Sequence, residues 1–137
     1  MTEEVLKRIL IVEDDESIAE IVELTLEDLG GFEVFHCSSG DYALDMLRKH
    51  RPQLVLLDVM MPRMDGPETL RQMRLCPEFD DIPVIFVTAR AQVHEQAQYA
   101  SIGAAGIIVK PFDPITLCDD ITLMWKKAKT EDLKLAV

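Results

Sequence analysis

Polar residues able to do chemistry follow four short apolar runs of the sequence, each at the point where a run ends. They are an acidic triplet, a lone aspartate, a threonine and a lysine: Glu13-Asp14-Asp15, Asp58, Thr88 and Lys110. Carboxylates that meet at close range repel one another and retain protons unless a cation joins them. Oxygen ligands at a half-open site suit a hard divalent ion, most plausibly Mg²⁺ that keeps several waters.

Asp58 is the residue of this set that could react. A carboxylate at the end of the apolar run LVLL is costly to bury, so its position asks for a functional reason. Beside Mg²⁺ and the Lys110 ammonium it would be ionised, and carboxylates act as nucleophiles towards phosphoryl groups. Lys110 and the Thr88 hydroxyl would offset charge that develops on the transferred oxygens. We therefore predict that Asp58 accepts a phosphoryl group.

The elements that must position these residues alternate along the chain. Five apolar runs, too short for helices and mostly rich in Val and Ile, predict buried strands: residues 9–12, 32–37, 54–57, 84–87 and 107–109. Amphipathic stretches between and after them predict helices. The first carries the stripe Ile18, Ile21, Val22, Thr25, Leu26 and Leu29, and the others cover residues 41–50, 67–75, about 92–101, and a segment after Pro114 that contains Trp125.

Strand and helix therefore alternate five times. This pattern predicts an α/β fold, a doubly wound five-stranded parallel sheet with helices on both faces. In such a sheet ligands bind beyond the carboxyl ends of the strands, so polar residues far apart in sequence meet at one edge.

Composition excludes several classes of function. Fourteen basic residues against 25 acidic ones give a net charge of −11, which repels nucleic acid and anionic membranes, so neither is an expected partner. The apolar runs are far shorter than a membrane span, and no signal peptide is visible. Three scattered cysteines indicate reduced thiols. Together these features predict a cytoplasmic protein.

Four stretches taken together carry a resemblance to a known family. ILIVEDDES, LVLLDVMMPRMDG, VIFVTAR and GAAGIIVKPF resemble, in order and spacing, the receiver domain of two-component response regulators, including the single-domain chemotaxis type. The resemblance covers residues from about 8 to 128. It implies the flavodoxin-like receiver fold with strand order 2-1-3-4-5. It also implies a stoichiometric phosphoacceptor rather than an enzyme.

The resemblance implies a role for the residues around the phosphoryl group. Asp58 is the phosphoacceptor, Thr88 the switch hydroxyl and Lys110 the partner of the phosphate, with a cis peptide bond before Pro111. Ile107 departs from the family pattern, since members often carry Tyr or Phe there. Because a β-branched side chain has few χ1 choices, we expect the signal to travel by Thr88 and the loop after the fourth strand.

The resemblance also implies a magnesium site. Asp15 would bind the ion directly and Asp14 through water, with Asp58 and the backbone carbonyl of Met60 as further ligands. Met60 and Arg90, each two residues beyond a site residue, would flank the phosphoryl group. Their long side chains would hinder water, so we expect slow loss of phosphate.

Other interpretations stay open for single motifs. The acidic triplet alone could serve a helix N-terminus, where the dipole and free amides stabilise acids. Lys110 alone could be a surface lysine. A flavodoxin-like electron carrier would need a phosphate-cradling loop in place of EDDES. A hydrolytic phosphatase would need an acid where Met60 stands, and a module that keeps the fold without being phosphorylated is a third alternative.

Residues 1–129 are predicted to form the receiver domain and residues 130–137 a C-terminal tail, with no output domain. The expected partners are a histidine kinase or histidine phosphotransfer protein, and a downstream protein bound by the face of the fourth helix, fifth strand and fifth helix. A homodimer is a further candidate. The alternative is a receiver fragment of a larger regulator or hybrid kinase, or a phosphorelay intermediate.

Overall fold

A computed structural model describes residues 4–90 and 92–135, with side chains described as far as residue 131. Its centre is a parallel sheet of five strands in the order β2-β1-β3-β4-β5. The strands are β1 (Arg8–Val12), β2 (Glu33–Cys37), β3 (Leu54–Asp58), β4 (Val84–Thr88) and β5 (Gly106–Val109). Each adjacent pair is parallel. The predicted fold class and strand order are therefore confirmed.

Helices connect consecutive strands and follow the last one. They are α1 (Glu16–Gly30), α2 (Gly40–His50), α3 (Gly66–Arg74), α4 (Val93–Ser101) and α5 (Pro114–Leu135). A 3-10 turn at Pro77–Phe79 precedes β4 and has no counterpart among the predicted elements. The final helix continues through residues 130–135, so most of the predicted tail is helical. None of the described helices has the length and apolarity that crossing a membrane would require.

Side chains alternate across the strands and fill two cores. Leu10 and Val12 of β1 face the core formed with α2 and α3. Ile9 and Ile11 face the core formed with α1 and α5, which includes the fully buried Trp125. Both sheet faces are thus covered, which explains why the strands are apolar throughout.

Two members of the predicted α1 stripe are exposed. Ile21 is 53% exposed and Leu29 64% exposed. The stripe that packs is narrower and runs through Ala19, Val22, Thr25 and Leu26. A helix packed against one sheet face and one neighbouring helix buries only such a stripe, and apolar residues beside it stay in solvent.

The three cysteines are free, as predicted. Cys37 at the end of β2 is buried, and burial raises the pKa of its thiol to about 11. Trp125 donates from its Nε1 to the backbone carbonyl oxygen of Gln53 at 3.0 Å, which joins α5 to the start of β3.

Candidate functional site

The carboxyl ends of β1 and β3 bring three acidic side chains together. Val12 and Leu57 are register partners, so the residues that follow them come out side by side. Glu13, Asp14 and Asp58 can each offer a carboxylate oxygen, and these atoms lie within 4.8 Å of one another. Glu13 is only 3% exposed and Asp58 6%, whereas Asp14 faces solvent. We call these three residues the acidic group.

Lys110, the residue directly after β5, joins the acidic group. Its Nζ lies 2.7 Å from Glu13 Oε1 and 3.3 Å from Asp58 Oδ1. The backbone holds it there, because its N–H donates to the carbonyl oxygen of Thr88 at 2.7 Å. The peptide bond between Lys110 and Pro111 is cis, as the resemblance implied. A lysine 97 residues from Glu13 in sequence thus becomes its ion-pair partner.

Electrostatics of the acidic group favour a further positive charge. Burial raises the pKa of the Glu13 carboxyl above its ordinary value, and the neighbouring Asp58 raises it further, while Lys110 opposes both. Burial alone would lower the pKa of Lys110, but its hydrogen bond to Glu13 and the charges of Glu13 and Asp58 outweigh this and raise it. One lysine therefore does not neutralise the group. Clustered carboxylate oxygens, one of them solvent-facing, suit a hard divalent cation such as Mg²⁺.

The structure separates one predicted ligand, Asp15, from the acidic group. Asp15 is the N-cap of α1, and its Oδ1 accepts from the N–H groups of Ser17 at 2.9 Å and Ile18 at 3.1 Å. It lies outside the acidic group. The acid beside Asp14 in the site is Glu13, so the predicted pair of Asp14 and Asp15 shifts by one residue. The N–H groups in the first turn of a helix have no backbone partner, so they donate to the carboxylate of Asp15, the last acid of the triplet.

A signal for this assignment existed in the sequence. The buried stripe of α1 begins near Ile18, which makes the acid three residues earlier a good N-cap. The place of Glu13 depended on the register between β1 and β3, and the chain alone does not reveal that register.

Thr88 ends β4 and is 5% exposed. Its hydroxyl oxygen accepts from the N–H of Arg90 at 3.1 Å, so the hydroxyl is tied to the loop that leads to α4. The oxygen can still donate its own hydrogen elsewhere. The loop from β4 to α4 therefore shares a hydrogen bond with the predicted switch residue.

The predicted flanking residues are exposed. Met60 is 75% exposed on the loop after β3, and Arg90 is exposed on the loop after β4. Ile107 on β5 is half-buried and packs against the core formed with α2 and α3. The side chains of Met60 and Arg90 therefore lie largely in solvent and are not held by core packing.

Gly66 allows the loop after β3 to return close to Asp58. Its N–H donates to the carbonyl oxygen of Val59 at 2.9 Å. A Cβ built on Gly66 would lie 2.5 Å from the backbone oxygen of Asp58. Asp65, just before it, caps α3 by accepting from the N–H of Glu68 at 2.9 Å. The MDG stretch is therefore a turn that begins a helix against the end of the central strand.

The chain is similar in sequence to known response regulators. The family described as "Response regulator receiver domain" matches residues 9–122. The chain is 38% identical over 106 residues to response regulator Rre1 of Synechocystis sp., covering 77% of this chain and 46% of that protein. It is 38% identical over 125 residues to response regulator MprA of Mycobacterium avium, covering 91% of this chain and 54% of that protein.

A solved structure agrees over a larger share of its own length. Chemotaxis protein CheY4 of Vibrio cholerae matches with a TM-score of 0.81 and 31% identity, covering 88% of this chain and 99% of that one. By contrast, the chain spans about half the length of the two regulators above.

Proposed function

Because the chain belongs to the family of response regulator receiver domains of two-component systems, we propose that it signals by accepting a phosphoryl group on Asp58 in the presence of Mg²⁺. The observation that carries this proposal is the geometry around Lys110. Its Nζ lies 2.7 Å from Glu13 and 3.3 Å from Asp58. The Lys110 ammonium is thus held beside the two buried carboxylates of an acidic group that could hold a metal ion.

The acidic group supplies the ligands for the ion. Asp14 and Asp58 would bind it through carboxylate oxygens, Glu13 would bind it directly or through water, and the backbone carbonyl of Met60 would complete the protein's share. When bound, Mg²⁺ neutralises negative charge on the phosphoryl oxygens and orients them. Asp15 is not part of this set because its carboxylate caps α1.

The transfer step uses Asp58 as nucleophile. One of its carboxylate oxygens forms a bond to phosphorus while the bond from phosphorus to the donor breaks, and the donor leaves with that electron pair. Lys110 donates hydrogen bonds to the transferred oxygens. Thr88 donates its hydroxyl hydrogen to one of them while it still accepts from the N–H of Arg90. Both contacts are stronger once negative charge develops there.

The product of the transfer is the phosphorylated protein itself, which acts as the signal, and no compound is made for release. A receiver of this kind takes one phosphoryl group per molecule from a histidine kinase or histidine phosphotransfer protein. Met60 replaces the acid that a hydrolytic aspartyl phosphatase uses two residues beyond its nucleophile. We expect Met60 and Arg90 to slow water attack. The variants Met60→Ala and Arg90→Ala should lose phosphate faster, and unchanged rates in both would refute this role.

Mass spectrometry after treatment with acetyl phosphate and Mg²⁺ tests the proposal. The wild type should gain one phosphoryl group, and Asp58→Asn and Asp14→Asn should gain none or far less. Asp15→Asn is the matched control, since asparagine is as good an N-cap as aspartate and the residue is no ligand. Loss of labelling in Asp15→Asn, or retained labelling in Asp58→Asn, would refute the assignment.

The output is proposed to be protein binding at the face of α4, β5 and α5. Val93 of α4 is 84% exposed, Val109 of β5 is 46% exposed and Ile115 of α5 is 82% exposed. A groove of about 300 Å³ runs along β5 beneath α4 and includes Ile107 in its lining. Phosphorylation would shift an existing equilibrium towards the state that binds, and Thr88 with its loop would link the site to this face.

A further inference from the structure

One side chain from the edge strand reaches the loop that carries the acidic group. His36 of β2 pairs with Ile11 of β1. Its Nε2 lies 2.9 Å from the backbone carbonyl oxygen of Glu13. A carbonyl only accepts, so Nε2 carries the hydrogen and donates it. The N–H of Glu13 in turn donates to the carbonyl oxygen of Cys37 at 3.1 Å. Glu13 is thus held from β2 at two backbone atoms.

The carbonyl that His36 holds belongs to the peptide unit between Glu13 and Asp14. Because that unit is planar and stiff, fixing its oxygen also fixes the N–H and the Cα of Asp14. Asp14 is exposed, so its carboxylate depends on its backbone for its direction. On the other side of the loop, the Glu13 carboxylate holds Lys110 at 2.7 Å. The hydrogen bond from His36 therefore acts on the two residues that open the acidic group.

We propose that His36 is a positioning residue for magnesium binding. Its Nε2–H orients the Glu13 carbonyl and, through the shared peptide plane, the Asp14 carboxylate that binds the ion. The inference rests on the proposed function above, because it deepens the same site. A purely structural role at the sheet edge makes a different prediction, namely lower stability with unchanged magnesium affinity.

The role of His36 is tested by titrating the full chain with MgCl₂. Binding is monitored by the amide chemical shifts of residues 13–15 and 58–60 in two-dimensional NMR. His36→Phe and His36→Leu remove the donor, and each should weaken Mg²⁺ binding about tenfold, the lower end of what loss of an outer partner costs a metal site. His36→Gln keeps an N–H donor at the same number of bonds from Cα and should restore most of the affinity.

His50→Phe is the matched control, because the His50 ring stacks on Phe35 of the same strand at 4.0 Å between centroids and phenylalanine keeps that stack. Its affinity should equal the wild type's. Urea unfolding of every variant separates stability from affinity. The inference would be overturned if His36→Phe and His36→Leu both bind Mg²⁺ with wild-type affinity, or if His36→Gln loses as much affinity as they do. Neither result would affect the proposed function. Failure of the wild type to bind Mg²⁺ would overturn the proposed function and this inference with it.

Discussion

The substitution Gly66→Ala should damage the site through the backbone. The added Cβ would lie 2.5 Å from the backbone oxygen of Asp58 and 2.9 Å from the Cα of Val59. Comfortable contacts of this kind need about 3.5 Å, so the loop must move by about 1 Å. Both obstructing atoms belong to the main chain of the central strand's end, and neither can rotate away.

The cost follows from that rigidity. Overpacking typically costs about 1–3 kcal/mol, and a clash with main chain belongs at the upper end. With a urea slope of about 2 kcal/mol per molar, a loss of about 3 kcal/mol lowers the unfolding midpoint by roughly 1.5 M. Displacing the end of β3 by about 1 Å should also slow phosphorylation by acetyl phosphate on the order of 100-fold.

Gly106→Ala is the matched control. Its Cβ would meet Sδ of Met124 at 2.4 Å, but that atom is the flexible end of a side chain and can swing aside. We expect nearly unchanged stability and phosphorylation. Urea unfolding and single-turnover labelling of both variants decide the matter. If Gly66→Ala behaves like Gly106→Ala in both assays, the close approach does not constrain the site.

Substitutions at three further positions test individual features. In metal-free buffer, the pKa of Glu13 is higher in the folded than in the unfolded protein. Protonated Glu13 therefore stabilises the folded state, fully so below about pH 4.5. This stabilisation is lost as pH rises through the folded pKa. The stability of Glu13→Gln relative to wild type should therefore rise from pH 4 to 7 in urea unfolding, and a flat difference would contradict the raised pKa. Arg63 has φ of 69°, and its 3.6 Å ion pair with Asp41 is exposed, so Arg63→Gly should stabilise by about 0.5–1 kcal/mol, and Arg63→Ala should not. The buried Ser39 hydroxyl has no hydrogen-bond partner among the described residues, so Ser39→Ala should stabilise by about 1 kcal/mol in thermal unfolding, and a clear loss would show that the hydroxyl is satisfied.

The local pattern determined the architecture. Short β-branched runs between amphipathic stretches allow few arrangements other than a covered parallel sheet, because each run must bury both of its faces. The polar residues that end those runs, Asp58, Thr88 and Lys110, follow from the same pattern, since parallel strands carry their carboxyl ends to one edge. Which apolar residues of α1 stay exposed was less predictable, because the periodicity of a stripe does not determine how much of its width a neighbouring element covers.

Only the tertiary structure decided which side chains and backbone atoms are in direct contact at the site. Whether Glu13 or Asp15 stands beside Asp14 in the site depended on the register of β1 against β3 and on where α1 begins. The reach of His36 to the Glu13 carbonyl depended on a strand that is adjacent in space and 23 residues away in sequence. Sequence periodicity has a resolution of about one residue. Hydrogen bonds and metal ligation discriminate within fractions of an ångström, and only the packed chain sets distances on that scale.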